Sequence, residues 1–324
     1  MNYPSRLAAL ALSFAMGILA SSVSQAQQFP TKPIRLLVPF AAGATTDLMA
    51  RALGQKLSDI LGQPVIIDNR PGSDTIIAAD ILARSPADGH TLNLTLDVAF
   101  TVNPHLYSKL PYDPVRDFAP VSLVGTTALL MVANMKLPAN NAQELVAYAK
   151  ANPGKLNYGS GAASTQIAVE LLKQSTGIDM VFIPFKGAAP ALQALLSGDI
   201  DLAIAGFASF LPAIKQGKIK PLFVTGTARD ASLPDVPTVV ESGYPNVVVN
   251  NWFAVYAPGK TPPAIVDKLS RDIARVIAMP DFAERMRNIG VAPLASTPAE
   301  LAARQKADSE KLGRVIKAAG IKVD

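Results

Sequence analysis

The stretch IRLLVPFAAGATTDLMAR, residues 34–51, decides the fold of this chain. It begins with Ile34–Val38, an apolar run of strand length. Pro39 ends that run, because proline lacks the N–H that a strand ladder requires, and Gly43 permits a tight turn. From Asp47 onward the apolar residues recur at helical spacing. The stretch therefore predicts a strand, a loop of small residues and a helix, in that order.

The start of this helix has two interpretations. Thr45 or Thr46 can cap it, with Asp47 in its first turn, which is all that a simple connection between a strand and a helix needs. The same start also leaves backbone N–H groups facing outward, and these groups together with the helix dipole attract anions such as carboxylates. The residues of this stretch leave both interpretations open.

Strands and helices alternate along the rest of the chain. Strands are predicted at residues 64–67 and 91–96, with a helix from Ser73 to about Arg84 between them, and this rhythm favours a parallel sheet with helices on its faces. A second series follows, with strands predicted at 155–158, 180–185, 201–205 and 219–225, and helices at 167–175, 188–197 and 208–216.

Two long extended runs, residues 121–133 and 247–257, are each long enough to cross from one sheet to another. We therefore predict two α/β domains joined by two crossing strands, with a ligand cleft between the domains. Residues 27–126 and 250–324 form domain 1, and residues 127–249 form domain 2. Trp252 and Phe253, on the second run, are interpreted as core aromatics.

The first 26 residues resemble an export signal. Arg6 provides the positive start, residues 7–20 are apolar but too few to span a bilayer comfortably, and residues 24–26 offer the small side chains that a signal peptidase recognises. We expect cleavage after Ala26 and a periplasmic protein.

Composition and motifs exclude several classes of function. The sequence has no cysteine, which excludes disulfides, thiolate metal sites and cysteine nucleophiles. Its net charge is +5, with lysines and arginines scattered rather than clustered, which argues against a nucleic-acid partner and suits an anionic ligand. No nucleophile elbow, Walker loop or zinc-protease motif is present. We therefore expect no enzyme activity, no cofactor and no metal, since an exported hydrolase would need a serine–histidine pair that the sequence does not provide.

The candidate ligand site follows from the rule that ligands of open α/β sheets bind beyond the carboxyl ends of the strands. The loops there are rich in glycine, alanine, serine and threonine, which allow close backbone approach and add hydroxyl donors. Each charge-assisted hydrogen bond contributes roughly 1.5–3 kcal/mol, so several such donors can bind a carboxylate without a buried arginine. The predicted ligand-binding residues are Phe40, Gly43, Ala44, Thr45, Thr46, Asp47, Ser73, Asp97, Ser160, Gly161, Ala163, Ser164, Thr165, Lys186, Gly187, Gly206 and Phe207.

Three of these side chains have an alternative role. Lys186 can pair with a carboxylate or remain a solvated loop lysine. Ser160 can donate to a ligand oxygen or merely shape a tight loop. Asp97 can accept from a ligand amine or hydroxyl, or it can cap nearby backbone groups.

Longer segments resemble a known family. They are FPTKPIRLLVPFAAGATTD, LGQPVIIDNRPG, ADGHTLNL, NPHLYSKLPYDPVRDFAPVSLV, NYGSGAAS, PFKGAAPALQALLSGDID and LPDVPTVVESGYP. Together they closely resemble the Bug/TctC extracytoplasmic solute receptors, the periplasmic binding proteins associated with tripartite tricarboxylate transporters, over essentially the whole mature chain.

The resemblance implies an α/β, two-domain type II periplasmic-binding-protein fold that closes over a carboxylated metabolite. We expect this ligand to be a dicarboxylate, a tricarboxylate or an aromatic carboxylate. It implies that residues 40–47 hold one carboxylate through backbone groups, and that the loops around residues 160–165 and 186–187 complete the site. It also implies delivery of the ligand to the inner-membrane permease subunits of a tripartite tricarboxylate transporter, by a receptor that we expect to be a monomer. A signalling adaptor, which docks on a sensor kinase when loaded, needs the same cleft and stays an alternative.

The chain departs from the family pattern at several loops. Gly43 and Ala44 stand where paired glycines are common, and Gly206 and Phe207 stand where an aspartate is often seen. The loss of that aspartate argues against an amino-acid ligand. Phe207 would suit an aromatic or otherwise apolar carboxylate.

Overall fold

The structure is a computed structural model that describes residues 29–161, 163–185 and 187–321. The export signal, with its predicted cleavage after Ala26, lies outside the described residues and stays a prediction. The strands are β1 (Ile34–Val38), β2 (Val65–Asn69), β3 (Thr91–Leu96), β4 (Phe118–Asn134), β5 (Asn157–Ser160), β6 (Val181–Pro184), β7 (Leu202–Gly206), β8 (Ile219–Val224), β9 (Asn250–Pro258) and β10 (Ala292–Pro293). The helices are α1 (Thr45–Leu61), α2 (Ile76–Ala83), α3 (Val98–Thr101), α4 (Asn103–Leu106), α5 (Ala142–Ala151), α6 (Ala163–Thr176), α7 (Ala188–Ser197), α8 (Phe207–Lys215), α9 (Pro263–Ile277), α10 (Pro280–Asn288) and α11 (Pro298–Ala319).

The strands form two parallel groups that are linked by antiparallel strands. In the first half of the molecule β2, β1 and β3 are parallel neighbours, and in the second half β6, β5 and β7 are parallel neighbours. Between these groups, β9 pairs antiparallel with β3 and β4, and β4 pairs antiparallel with β7 and β8. The predicted alternation of strands and helices accounts for the two groups, because parallel neighbours need a crossover connection.

Strand β4 carries the chain from the first half to the second. Its residues 118–128 pair with β9, and its residues 129–134 pair with β7 and β8. The crossing predicted at residues 121–133 is therefore confirmed. The return crossing is shorter than predicted. Val247 and Val249 still pack in the core of the second half, whereas β9 begins at Asn250 and pairs with strands of the first half.

Each half has its own hydrophobic core. In the first half, β1 and β3 pack against α1 and α9, and in the second half β5 and β7 pack against α5 and α6. The last helix, α11, contacts both halves, because Leu301 packs with residues of the first half and Leu312 packs in the core of the second. The division into domains at residues 126/127 and 249/250 remains a proposal.

Two helix starts follow their sequence signals. Asn141 accepts a hydrogen bond from the backbone N–H of Glu144 at 2.8 Å ahead of α5, and Thr297 forms a full capping box with Glu300 ahead of α11. The helix predicted from Ser73 instead begins with a 3-10 turn at Ser73–Thr75, and regular α-helix starts only at Ile76. Among the residues that the structure describes, no helix combines the length and the apolar character needed to cross a bilayer.

Candidate functional site

A cavity of about 350 Å³ lies between the two halves, beyond the carboxyl ends of the parallel strands. The first half contributes the loop after β1, the start of α1 and the end of β3, and the second half contributes the end of β7 and the loops that follow β5 and β6. Residues of β4 and β9 form its floor. The lining residues are Phe40, Ala44, Thr45, Thr46, Leu96, Thr127, Leu129, Gly161, Ser164, Thr165, Gly187, Ala188, Ile204, Ala205, Gly206, Ser209, Asn251 and Phe253.

Four helices, α1, α6, α7 and α8, begin at this cavity. Ala44, Gly187 and Gly206 occupy the cap positions of α1, α7 and α8, and none of these residues has a side chain that can accept a hydrogen bond. The prediction that Thr45 or Thr46 caps α1 is therefore wrong. Because the first N–H groups of a helix have no partner within the helix, and because the helix dipole is positive at this end, the cavity favours negative charge.

Asp47 braces the loop ahead of α1 rather than facing the cavity. Its carboxylate is 1% exposed and accepts hydrogen bonds from the Gly43 backbone N–H at 2.8 Å, from Arg51 Nε at 2.9 Å and from Asn69 Nδ2 at 2.9 Å. Burial alone would raise the pKa of Asp47, but the hydrogen bonds from Arg51, Gly43 and Asn69 outweigh burial and lower that pKa below its ordinary value. Asn69 also donates to the carbonyl of Phe40 at 2.9 Å, so the end of β2 holds both sides of the loop.

Thr46, Ser164 and Asn251 present polar side chains to the cavity. Only 3%, 9% and 7% of these residues is exposed, respectively. No hydrogen bond joins any of these three side chains to another described residue. Because these side chains face the cavity and are not engaged elsewhere, they are suited to bind a ligand or ordered water.

Apolar side chains form much of the remaining wall. Phe40 and Leu96 come from the first half, Leu129 and Ile204 from the second, and Phe253 from β9. None of the described lining residues has an ionisable side chain. Within the same described ranges, no group of three or more histidine, cysteine, aspartate or glutamate side chains could hold a metal ion. The described lining therefore offers backbone N–H groups and hydroxyls that suit an anionic group, and apolar side chains that suit a carbon skeleton.

Nine of the predicted site residues line the cavity, and they come from both halves. The side chain of Ala163 and the whole of Lys186 lie outside the described parts of the chain, so the predicted ion pair of Lys186 with a carboxylate stays a prediction. The nine residues are Phe40, Ala44, Thr45, Thr46, Gly161, Ser164, Thr165, Gly187 and Gly206.

Four other predicted residues lie outside the cavity wall. Gly43 has a φ of +86° in the turn that Asp47 braces, and Ser73 is exposed in the 3-10 turn. Ser160 is buried and its hydroxyl is hydrogen-bonded to that of Thr165, which favours the loop-shaping role. Phe207 is 2% exposed and packs in the core of the second half, which removes the argument that it selects an aromatic ligand.

Asp97 belongs to a separate polar pocket of about 310 Å³, which it lines together with Arg304, Asp308 and Lys311 of α11. Its backbone N–H donates to the carbonyl of Trp252 at 3.0 Å, and only 4% of the residue is exposed. Burial raises the pKa of Asp97 to about 7, and the negative charge of Asp308 adds to that effect. The prediction that Asp97 contacts the ligand is therefore not supported by its position.

The sequence does not indicate the other nine lining residues. Several of them lie on strands rather than in loops, and a strand that is buried on both faces gives no sign of which face meets a cavity. Phe253 packs in the core of the first half, as predicted, and it also lines the cavity, which the sequence does not indicate. The nine residues are Leu96, Thr127, Leu129, Ala188, Ile204, Ala205, Ser209, Asn251 and Phe253.

Known proteins resemble this chain over most of its length. Protein BugT of Bordetella pertussis is 37% identical over 301 residues, which cover 92% of this chain and 92% of BugT. The solved structure of Rpa4515 of R. palustris with adipate is 34% identical with a TM-score of 0.77, and the match covers 91% of this chain and 100% of that one. The structure of MatC from Rhodopseudomonas palustris with bound malate is 31% identical with a TM-score of 0.73, and the match covers 89% and 100% of the two chains.

The fold is the mixed α/β fold of the TctC/Bug periplasmic binding proteins, as the sequence predicted. The family of solute receptors described as "Tripartite tricarboxylate transporter family receptor" matches residues 49–321. The chain therefore belongs to the TctC family of tripartite tricarboxylate transporter receptors, whose members bind solutes and are not enzymes.

Proposed function

We propose that this protein is a periplasmic receptor that binds a small carboxylate in the cavity between its halves and delivers it to the inner-membrane permease subunits of a tripartite tricarboxylate transporter. The observation that carries the proposal is the convergence of four helix starts on one cavity, in a chain of this family. The adipate and the malate in the two similar structures are small dicarboxylates and support the same ligand class.

The energies of the contacts are sufficient for this function. Association costs roughly 4–15 kcal/mol in lost freedom and ordering. Each hydrogen bond from an N–H or hydroxyl group to a carboxylate contributes roughly 1.5–3 kcal/mol, and burial of the carbon skeleton adds to this. Several such bonds at the starts of α1, α7 and α8 would offset the cost and leave micromolar binding, which corresponds to about −8 kcal/mol.

Donors on both halves would couple binding to closure. A ligand that contacts the start of α1 and also the starts of α7 and α8 holds the two halves together, so it binds the closed form more tightly than the open form. The two domains of this motion would be residues 27–126 with 250–324, and residues 127–249. We further propose that the receptor is exported with removal of residues 1–26 and that it acts as a monomer.

The binding step is tested by isothermal titration calorimetry and thermal shift with a panel of carboxylates and their uncharged amides. Malate, adipate, citrate and benzoate cover the dicarboxylate, tricarboxylate and aromatic classes. We expect at least one acid to bind and its amide to fail, with roughly 2.7 kcal/mol of added stability at one hundred times the dissociation constant. Equal binding of acid and amide, or no binding by any acid, would contradict the proposal.

The delivery step is tested by capture of membrane proteins on the immobilised receptor, with and without the acid that binds. We expect permease subunits of a tripartite transporter to be retained only when ligand is present. Retention of a sensor kinase in place of the permease would support the alternative of a signalling adaptor and contradict delivery.

A further inference from the structure

Asn251 is a buried polar residue that lines the cavity but does not lie at the start of a helix. Only 7% of it is exposed, it lines the cavity, and its side-chain amide forms no hydrogen bond with any residue that the structure describes. Thr46 and Ser164 share these properties but lie in the first turns of α1 and α6, where a carboxylate is expected. Asn251 lies on a strand, so a different part of the ligand must meet it.

The pairing of β9 fixes the direction of this side chain. Successive side chains of a strand point to opposite faces, so Asn251 and Phe253 face the cavity. Asn250 and Trp252 face away: Asn250 lines the separate pocket that contains Asp97, and Trp252 Nε1 donates to Asp308 of α11 at 2.9 Å. The Asn251 amide is thus held on the floor of the cavity, on a strand whose other face is anchored.

The described residues around Asn251 are uncharged. Opposite it on β4 lies Thr127, whose hydroxyl donates to the carbonyl of Gly290 at 3.1 Å. Along the same floor lie Phe253 and Leu96 on one side and Leu129 on the other. A second charged group beside these neighbours would lose hydration and meet no opposite charge among them, whereas an uncharged oxygen needs only one or two hydrogen bonds.

We infer that Asn251 is a specificity-determining residue that hydrogen-bonds an uncharged oxygen of the ligand, and that the ligand is therefore a hydroxy- or oxo-carboxylate rather than the unsubstituted acid. The amide suits both kinds of oxygen, since Nδ2 donates to a hydroxyl or a carbonyl and Oδ1 accepts from a hydroxyl. An unsubstituted acid that displaces the water of the cavity would leave the amide without a partner, because no described side chain hydrogen-bonds it. This inference rests on the proposed function, and it names the ligand class for the same cavity.

Matched pairs of acids test this inference by isothermal titration calorimetry on the intact receptor. The pairs are malate with succinate, 2-oxoglutarate with glutarate, and 4-hydroxybenzoate with benzoate. We expect the oxygen-bearing acid of at least one pair to bind about tenfold to a hundredfold more tightly than its partner, because a buried donor or acceptor left unpaired is costly. This comparison needs no variant, so it stands even if a substitution in β9 disturbs folding.

Two alanine variants then assign the preference to one side chain. Asn251→Ala should reduce the preference within that pair to about twofold or less, while the unsubstituted acid keeps its affinity. Asn250→Ala is the matched control, with the same residue type one position earlier on the opposite face of β9, and it should keep the full preference. If acids bind but neither member of any pair is preferred, or if Asn251→Ala keeps the preference, the inference is overturned and carboxylate binding stands. If no acid binds at all, the proposed function fails as well.

Discussion

Replacing Asp47 with alanine tests how the anion-binding end of α1 is held in place. The substitution removes the acceptor for the Gly43 N–H, for Arg51 and for Asn69. The Arg51 side chain is 49% exposed and can be hydrated instead, so the loss of its ion pair with Asp47 changes the free energy of unfolding little. The other two donors are partly buried and lose a charged acceptor, which predicts a loss of about 2–4 kcal/mol in the free energy of unfolding.

The same substitution should weaken ligand binding although Asp47 does not line the cavity. Without its brace, the loop from Phe40 to Ala44 must be ordered by the ligand itself, and we expect roughly tenfold weaker binding of the preferred acid. The stability difference should also depend on pH. Because the folded-state pKa of Asp47 lies below 3.8, its stabilising contribution is complete above that pH and is lost as the pH falls through the folded-state value.

Denaturant unfolding at several pH values and calorimetric titration measure both effects. Asp59→Ala is the matched control, because Asp59 lies on the exposed side of the same helix, and its unfolding free energy should change by about 0.5 kcal/mol or less. If Asp47→Ala unfolds at the same denaturant concentration as Asp59→Ala and binds the acid equally well, the reasoning about the brace is refuted.

Three further predictions concern the site and its surroundings. Asp97→Asn should remove a pH-dependent loss of stability. With a folded-state pKa of about 7, wild-type Asp97 keeps a proton that the unfolded chain releases near pH 3.8, so the free energy of unfolding of the wild type should fall as the pH rises from about 4 to 7, and that of the variant should not. Parallel unfolding profiles of the two proteins from pH 4 to 8 would contradict this. Gly161→Ala would drive a Cβ into the backbone of Gly187 and should lower both the melting temperature and the affinity for the acid, whereas Gly206→Ala, with no atom within 4 Å, should keep the melting temperature; equal melting temperatures would count against this packing. Thr46→Val should weaken binding of the acid about twofold to tenfold in calorimetry without loss of stability, since it removes one cavity hydroxyl; unchanged affinity would exclude that hydroxyl from the site.

Local patterns in the sequence predict the elements of this fold well where one pattern dominates. Ile34–Val38, Thr91–Leu96 and Ala188–Ser197 have the bounds that periodicity and flanking turn residues indicate. The sequence does not identify the cap of α1, because two threonines and an aspartate are adjacent and all three residue types are common at helix starts. In the structure Asp47 is held by Gly43 and Arg51 nearby and by Asn69 on a strand distant in sequence, and Ala44 is the cap.

The candidate site likewise has a part that the sequence predicts, its loops, and a part that the sequence does not predict, its floor. Its loops follow from the order of strands and helices, because the carboxyl ends of parallel strands meet at one edge of a sheet. The floor does not follow, since Asn251 and Phe253 become neighbours of Thr127 and Leu96 only through the register of β9 against β4 and β3. That register joins residues more than one hundred positions apart, and no local pattern encodes it.

The central claim is that the starts of helices from both halves hold the ligand's carboxylate in the cavity between them. The most direct test is a crystal structure of the receptor with the tightest-binding acid of the panel. We predict a carboxylate in the cavity with oxygens about 2.7–3.1 Å from first-turn backbone N–H groups of α1 and of α7 or α8. An acid bound outside the cavity, or one whose carboxylate contacts none of these helix starts, would contradict the account.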